Sequence, residues 1–384
     1  MTMATNLAKI HFLAMKGKDP TVLNEETKET DAPGANAIII QDYDVSQDKY
    51  VYGMIDAGFY DGPEKSQYDK NLLIKYLKAH KIKTLEFVLI THYHADHFGN
   101  LKYLLNKYST EKIAINNLIL PMNQKRLKSI QNKLDSKEYD KISEAEKSIT
   151  DSFNEYKKLY PNAKLYYFGE DSLTKISEVC KIGTGTFTFY NTNPTSSRYE
   201  TKDNDSGSYP TGKWLSDKFS IVTEYAVQNR KILFTGDIYQ YSEMILKDRL
   251  SKDYDLIEMS HHGSSNANCQ AFLEKIIPND KVCTAIQLRS SSKRSRKALN
   301  NYLAFNNPDK YPGYAGVRVY GVYQNFENEW ADKDNVNRGS IVAEIQNDNI
   351  NYYSRRVYQT TPNGEVTYRQ KLIHPIDENN VKVE

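Results

Sequence analysis

The stretch THYHADH, residues 91–97, follows directly on the apolar run LEFVLI, residues 85–90, and places three of the chain's eight histidines within six consecutive positions. A short apolar run bounded by polar residues reads as a strand covered on both faces of its sheet. His92, His94, Asp96 and His97 therefore stand at the end of a buried strand and not on a solvated loop. Imidazole and carboxylate are borderline ligands that suit zinc and also serve manganese and iron. A rigid strand end can turn His92 and His94 toward one ion while the following turn carries Asp96 and His97 to a second. A histidine-rich loop without metal is the bland reading, and partners further along the chain weigh against it.

The first partner is KILFTGD, residues 231–237, another apolar run that ends in an acid. Asp237 is placed to bridge two cations, although an aspartate there could equally cap a following helix. The second is YDLIEMSHHGSSN, residues 254–266, where His261 and His262 close a strand. Paired histidines at such a point supply one metal ligand and one group facing the substrate. The reading takes His261 as ligand and His262 as substrate-facing, with the reverse assignment open.

Around these clusters, AKIHFLAM (8–15), ANAIIIQDYD (35–44) and KYVYGMIDAG (49–58) read as strands, and KNLLIKYLKAHKI (70–82) carries Leu72, Leu73, Tyr76 and Leu77 at helical spacing. The lysine-rich segment 121–161 spaces Ile130, Leu134, Tyr139, Ile142 and Phe153 as helices do, and is expected as a helical insertion. TFTFYN, FSIVTEYAV, KILFTGD, YDLIEMS, KVCTAIQL, VRVYGVY and GSIVAEIQ restore the strand pattern. Strands, a helix between strands, then strands and helices again, with no internal repeat, fit two packed sheets with helices on their outer faces. One domain is expected over 1–356, followed by a polar C-terminal tail at 357–384.

Composition sets wider bounds. Lys and Arg number 51 against 49 Asp and Glu, so the overall charge neither demands nor forbids a nucleic-acid partner. No apolar run is long enough for a membrane span, and the start lacks a signal-peptide core, so the chain as written reads as cytoplasmic. A secreted chain whose leader had been removed would read the same. Three scattered cysteines, Cys180, Cys269 and Cys283, build neither a disulfide framework nor a thiolate cage. The oligomeric state is not legible.

THYHADH, FTGD and SHHGS, in this order and each at the end of an apolar strand, resemble the metallo-β-lactamase fold superfamily of mostly dinuclear metallohydrolases. The resemblance spans about His11 to Tyr353. It implies an α/β fold, a four-layer αββα sandwich of two mixed β-sheets flanked by helices, and two divalent metal ions, zinc first and manganese second. It also implies that Asp56, in IDAG, orients the first cluster from behind the ligands. Lactam-hydrolysing and glyoxalase-type members have a further ligand histidine before the bridging acid, but no histidine lies between His97 and Asp237 here. The pattern is instead similar to the branch holding the phosphorylcholine esterases of teichoic acid and the nuclease domain of DNA-uptake competence channels. Ser220 matches that branch's serine and is expected to touch substrate. Asn204, Asp205 or Asp217 could replace the missing histidine, or bridging Asp237 and water could complete the first ion.

The implied chemistry is hydrolysis of a phosphoester or phosphodiester by a metal-activated hydroxide. His92, His94, Asp96, His97, Asp237 and His261 would hold the ions. Asp96 would orient the hydroxide or take its proton, and His262 would bind or protonate the substrate. QLRSSSKRSRKAL (287–299) adds Arg289 and Lys293 beside serines before a helix, a pattern that suits an anion or else a solvated helix face. Tyr190, Trp214, Tyr239 and Tyr241 could wall a pocket for a choline-like cation, with ordinary packing as the plainer reading. His11, His80 and His374 are given no common location. Rival readings are a hydrolase of carboxylic esters, lactones or amides, a metal-dependent nuclease, and a binding protein without turnover.

Overall fold

The computed structural model describes residues 7–13, 15, 35–59, 72–106, 112–131, 136–192, 215–288, 293–322, 340–346, 349–359, 366–373 and 375. The chain runs through β1 (Ala8–Phe12), β2 (Ala37–Asp44), β3 (Lys49–Ala57), α1 (Leu72–Ala79) and β4 (Thr84–Leu89). Two single turns, α2 (Ala95–Phe98) and α3 (Leu101–Leu104), lead to β5 (Ala114–Leu120), α4 (Gln124–Ser129), α5 (Ser136–Lys157), β6 (Lys164–Tyr167), α6 (Leu173–Val179) and β7 (Thr186–Tyr190). Next come α7 (Leu215–Lys218), β8 (Val222–Val227), β9 (Arg230–Phe234), α8 (Gln240–Leu246), β10 (Leu256–Glu258) and a tight turn at Ser260–Gly263. The described elements end with α9 (Gln270–Ile276), β11 (Cys283–Gln287), α10 (Lys293–Leu303), β12 (Val317–Gly321), β13 (Ser340–Ile345), β14 (Ile350–Gln359) and β15 (Val366–Leu372).

Two sheets result, one of nine strands in the order β15-β14-β13-β1-β2-β3-β4-β5-β6 and one of six in the order β12-β11-β10-β9-β8-β7. Both are mixed. The larger is parallel from β3 to β6 and antiparallel elsewhere, and the smaller is parallel from β9 to β12. Period-two alternation decides the layers. In β4, Phe87 and Leu89 point between the sheets, where they meet Phe187, Tyr225, Ile232 and Phe234 of the smaller one. Val88 and Ile90 point the other way, toward Leu73 and Leu77 of α1 and Ile149 and Phe153 of α5. Leu233 and Ile257 cover the outer face of the smaller sheet under Phe272, Leu273 and Tyr302. Each large apolar side chain so buried contributes about 1.5–3 kcal/mol. The molecule is thus a four-layer αββα sandwich, as expected.

The structure adds detail to the reading of the elements. The sequence reading passed over β5 and β6, and the helices at 121–161 are the crossover that joins these two parallel strands, since a parallel pair needs a long connection. α5 buries Ile142, Ala145, Ile149, Phe153 and Tyr156, one face of an amphipathic helix. Position 357, the expected start of the tail, falls within β14. β14 continues to Gln359 and pairs antiparallel with β15, from Tyr353 opposite Leu372 to Gln359 opposite Val366. Backbone pairing, more than apolar content, orders this polar stretch.

The hairpin is fastened to α1 by a histidine. His80 stacks between Tyr76 and Tyr368, with ring centroids 4.1 and 4.4 Å away. Its Nδ1–H donates to the Tyr76 carbonyl at 2.8 Å, and its Nε2 accepts from Arg355 Nη1 at 2.9 Å. Arg355 also donates to Gln370 and lies over the Tyr368 ring. His11 Nδ1 meets the Tyr76 hydroxyl at 2.9 Å, with its ring 5.5 Å from that of His80. His11 and His80 therefore do share a location, a correction to the sequence reading, while His374 lies outside the described residues. Burial pushes His80 down to about 4, and the nearby Arg355 charge acts in the same direction.

Candidate metal centre

The ends of β3 and β4 lie side by side, and Asp56 and the residues after Ile90 meet there. Asp56 is fully buried, and its Oδ1 accepts the Thr91 N–H at 2.7 Å. Its Oδ2 accepts from Thr91 Oγ1 at 2.8 Å and from His97 Nδ1 at 2.6 Å. A carboxylate can only accept, so the His97 proton sits on Nδ1 and Nε2 is left for another partner. That Nε2 lies 3.2 Å from Asp237 Oδ2. His92 Nδ1 faces Thr91 Oγ1 at 3.1 Å and Ser220 Oγ at 3.4 Å, which aims its Nε2 at Asp217 Oδ1, 3.3 Å away.

Two groups of donor atoms form as a result. His92, His94 and Asp217 make one, and Asp96, His97, Asp237 and His262 make the other, each with its donors within 4.8 Å of one another. His94 Nδ1 lies 2.7 Å from Asp217 Oδ1, and His262 Nε2 lies 3.3 Å from both Asp96 Oδ2 and Asp237 Oδ2. The rings of His92 and His97 have centroids 4.1 Å apart, so the groups adjoin.

Buried polar atoms without hydrogen-bonding geometry are expensive. Among the described residues such atoms include His92 Nε2, His97 Nε2, both carboxylate oxygens of Asp217, Asp237 Oδ1 and His262 Nδ1. All of these residues are donors of the two groups, and together they fit divalent cations. The ionisation of the side chains by themselves agrees. Burial opposes charge on His94 and His262, yet the carboxylates of Asp217 and of Asp237 with Asp96 outweigh it and raise both to about 9. Asp217 and Asp237 are disfavoured as anions by burial but held well below the usual carboxylate range by the surrounding imidazoles.

Backbone shape sets which histidine enters. Gly236 has φ +53°, and a Cβ there would sit 2.3 Å from Ser220 Oγ. His261 and His262 are both left-handed, with φ 50° and 53°, so the chain reverses tightly between them. The reversal turns His262 inward. His261 Nδ1 donates to Asn266 Oδ1 at 3.0 Å, its ring packs edge-on against Tyr239 with centroids 4.8 Å apart, and its Nε2 is 3.7 Å from Asp237 Oδ2. The structure thus groups His262, and not His261, with Asp96, His97 and Asp237.

Other expected residues fall as follows. Asp217 is the one described member of the three candidates for the missing histidine, as Asn204 and Asp205 lie outside the described residues. Ser220 is fully buried, and its Oγ accepts the Asp237 N–H at 3.0 Å. Arg289 and Trp214 lie outside the described residues, and Lys293 opens α10 with its side chain outside them. Tyr190 packs against the core below α8 to α10, and Tyr241 lies under the Lys218 ammonium at 5.1 Å.

Two buried acids escaped the sequence reading. Glu243 of α8 accepts the N–H groups of Asn268 and Cys269 and fixes the far end of the histidine loop. Glu258 ends β10 and accepts from Asn36, Thr235 and Gly236. Burial, followed by repulsion from Asp56, raises Glu258 to about 7. An acid inside the apolar run DLIEM was the available signal.

Comparison with known proteins gives one family and a set of folds. Residues 31–169 match the model of the metallo-beta-lactamase superfamily. No curated protein matches the chain significantly in sequence. Solved structures with similarity include the metallo-beta-lactamase fold protein YhfI from Bacillus subtilis, at 12% identity over 84% of this chain and 98% of that chain, TM-score 0.40. A diphosphatase from the PhnP family aligns at 12% identity over 84% and 98%, TM-score 0.38. Unliganded yeast PDE1 aligns at 11% identity over 83% and 98%, TM-score 0.41. Among the described residues no helix is long and apolar enough to cross a membrane.

Proposed function

We propose, for a chain that has the metallo-β-lactamase fold and matches that superfamily over residues 31–169, that its centre holds two divalent ions and hydrolyses a phosphoester, with phosphodiesters as the preferred class. His92, His94 and Asp217 would hold the first ion, and Asp96, His97 and His262 the second, with Asp237 between them. Four imidazoles make zinc the first choice, and three carboxylates keep manganese in play. Bound ions would supply Lewis acidity and an activated water near neutral pH.

The observation that carries this reading is Asp217. Where lactam-hydrolysing members of the superfamily complete the first ion with a neutral histidine, this chain presents a buried carboxylate 2.7 Å from His94 and 3.3 Å from His92. Three carboxylates against two divalent cations leave one positive charge in surplus, which suits a singly charged phosphodiester. Asp96 is among the more open donors, with 25% of its side chain exposed, and can orient the attacking water and hold its proton. His261, whose Nδ1–H is donated to Asn266 Oδ1, would meet a phosphoryl oxygen as the imidazolium, donating Nε2–H. In this reading His262 is the ligand and His261 faces substrate, the reverse assignment that the sequence left open.

The test is hydrolysis of bis(p-nitrophenyl) phosphate by the purified chain, after chelation and after return of zinc or manganese. Activity abolished by chelation and restored by one ion is expected. Folded protein that binds ions yet cleaves carboxylic esters and no phosphodiester would overturn the proposal.

A further inference from the structure

We propose that Glu258 is a positioning residue that sets the bridging carboxylate of Asp237 and the second-ion group around it, an inference that rests on the two-ion reading above. Glu258 is 1% exposed, and both its carboxylate oxygens are committed to the protein. Oε2 accepts the N–H of Thr235 at 3.0 Å and of Gly236 at 3.2 Å, the two residues before Asp237. Oε1 accepts from Asn36 Nδ2 at 2.5 Å. The Glu258 carbonyl receives the Thr235 hydroxyl at 2.9 Å. Asn36 in turn donates its backbone N–H to the Asp96 carbonyl at 3.1 Å.

One side chain therefore ties together three segments that bear or hold ligands. The turn after β9 carries Asp237, and the segment before β2 holds the backbone of Asp96. The third is Glu258's own strand, which runs within a few residues into His262. Thr235 and Gly236 have few other ways to satisfy their N–H groups, because the Gly236 turn is left-handed and pressed against Ser220. Outer partners of this kind fix ligand orientation, and their loss typically costs 10–100-fold in metal affinity.

Glu258→Gln separates this role from simple packing. Glutamine keeps the shape but has one acceptor oxygen and no charge, so it cannot accept from Thr235, Gly236 and Asn36 at once as the carboxylate does. Zinc and manganese binding would be measured by equilibrium dialysis and calorimetry on the full chain. kcat and KM on bis(p-nitrophenyl) phosphate and thermal unfolding of the chelated protein would accompany them. The expected result is retention of the first ion, 10–100-fold weaker binding of the second, and a kcat that falls at limiting metal and recovers at high metal with KM unchanged. Two ions bound with wild-type affinity, whatever the melting temperature, would overturn the proposal and leave the two-ion reading standing. Wild-type protein that binds no ion would take both down. Should Glu258→Gln fail to fold, Asn36→Ala frees one carboxylate oxygen while keeping the backbone bond to Asp96. Several-fold weaker binding of the second ion is then expected, and unchanged binding would overturn the proposal.

Discussion

Asp217 makes the sharpest prediction at the scale of the single residue. Replacing it with alanine removes a donor from the first group and leaves His92 and His94 facing an empty position. Metal analysis should show one ion lost, with phosphodiesterase activity down at least about 100-fold. The two neighbouring histidines should part company. His262→Ala is expected to lose the second ion, whereas His261→Ala should keep both ions and lose kcat, and the metal content of the two variants checks the assignment directly. Much of this group was legible in the sequence, because THYHADH and FTGD abut apolar runs that can only be strands. Asp217 was one of three open candidates because an acid in WLSDK carries no local mark. The order of His261 and His262 was illegible because two successive positive φ angles, not residue types, decide which ring turns inward.

Elements add predictions that do not involve ligand atoms. Gly236→Ala would put a methyl 2.3 Å from Ser220 Oγ at φ +53°. It should cost about 1–3 kcal/mol of stability and weaken metal binding, as denaturant unfolding and dialysis would show. The fastening of the C-terminal hairpin predicts a pH effect. His80 in the folded chain has a pKa near 4, below its ordinary 6.5. As pH falls from 6.5 toward 4, the unfolded chain takes up a proton that the folded chain refuses, so stability declines across that window and is unaffected above it. The loss is on the order of 2 kcal/mol. The difference in urea midpoint between wild type and His80→Asn should therefore shrink between pH 7 and 4.5. Strands with two-residue alternation were visible in the sequence, but β15 was not. VTYRQKL holds few apolar residues, and its order comes from pairing with β14 and from the stack of Tyr368, His80 and Tyr76.

Across the whole molecule, any ion bound only by the folded state adds stability according to its concentration. At one hundred times its dissociation constant the gain is about 2.7 kcal/mol, so chelation should lower the melting temperature by a few degrees, as calorimetry would show. The layered architecture was readable because short apolar runs bounded by polar residues mark strands covered on both faces. The contact between His11 and His80 was not, since it depends on how β1, α1 and β14 come together. The donors of the centre are drawn from both sheets: His92, His94, Asp96 and His97 follow β4 of the larger, whereas Asp217, Asp237 and His262 flank β8, β9 and β10 of the smaller. Neither half of the chain owns a complete set, and a bound cation would close the sandwich like the pin of a clasp. During refolding from denaturant, zinc should then be captured late, in step with the docking of one sheet on the other and well after the helices have formed.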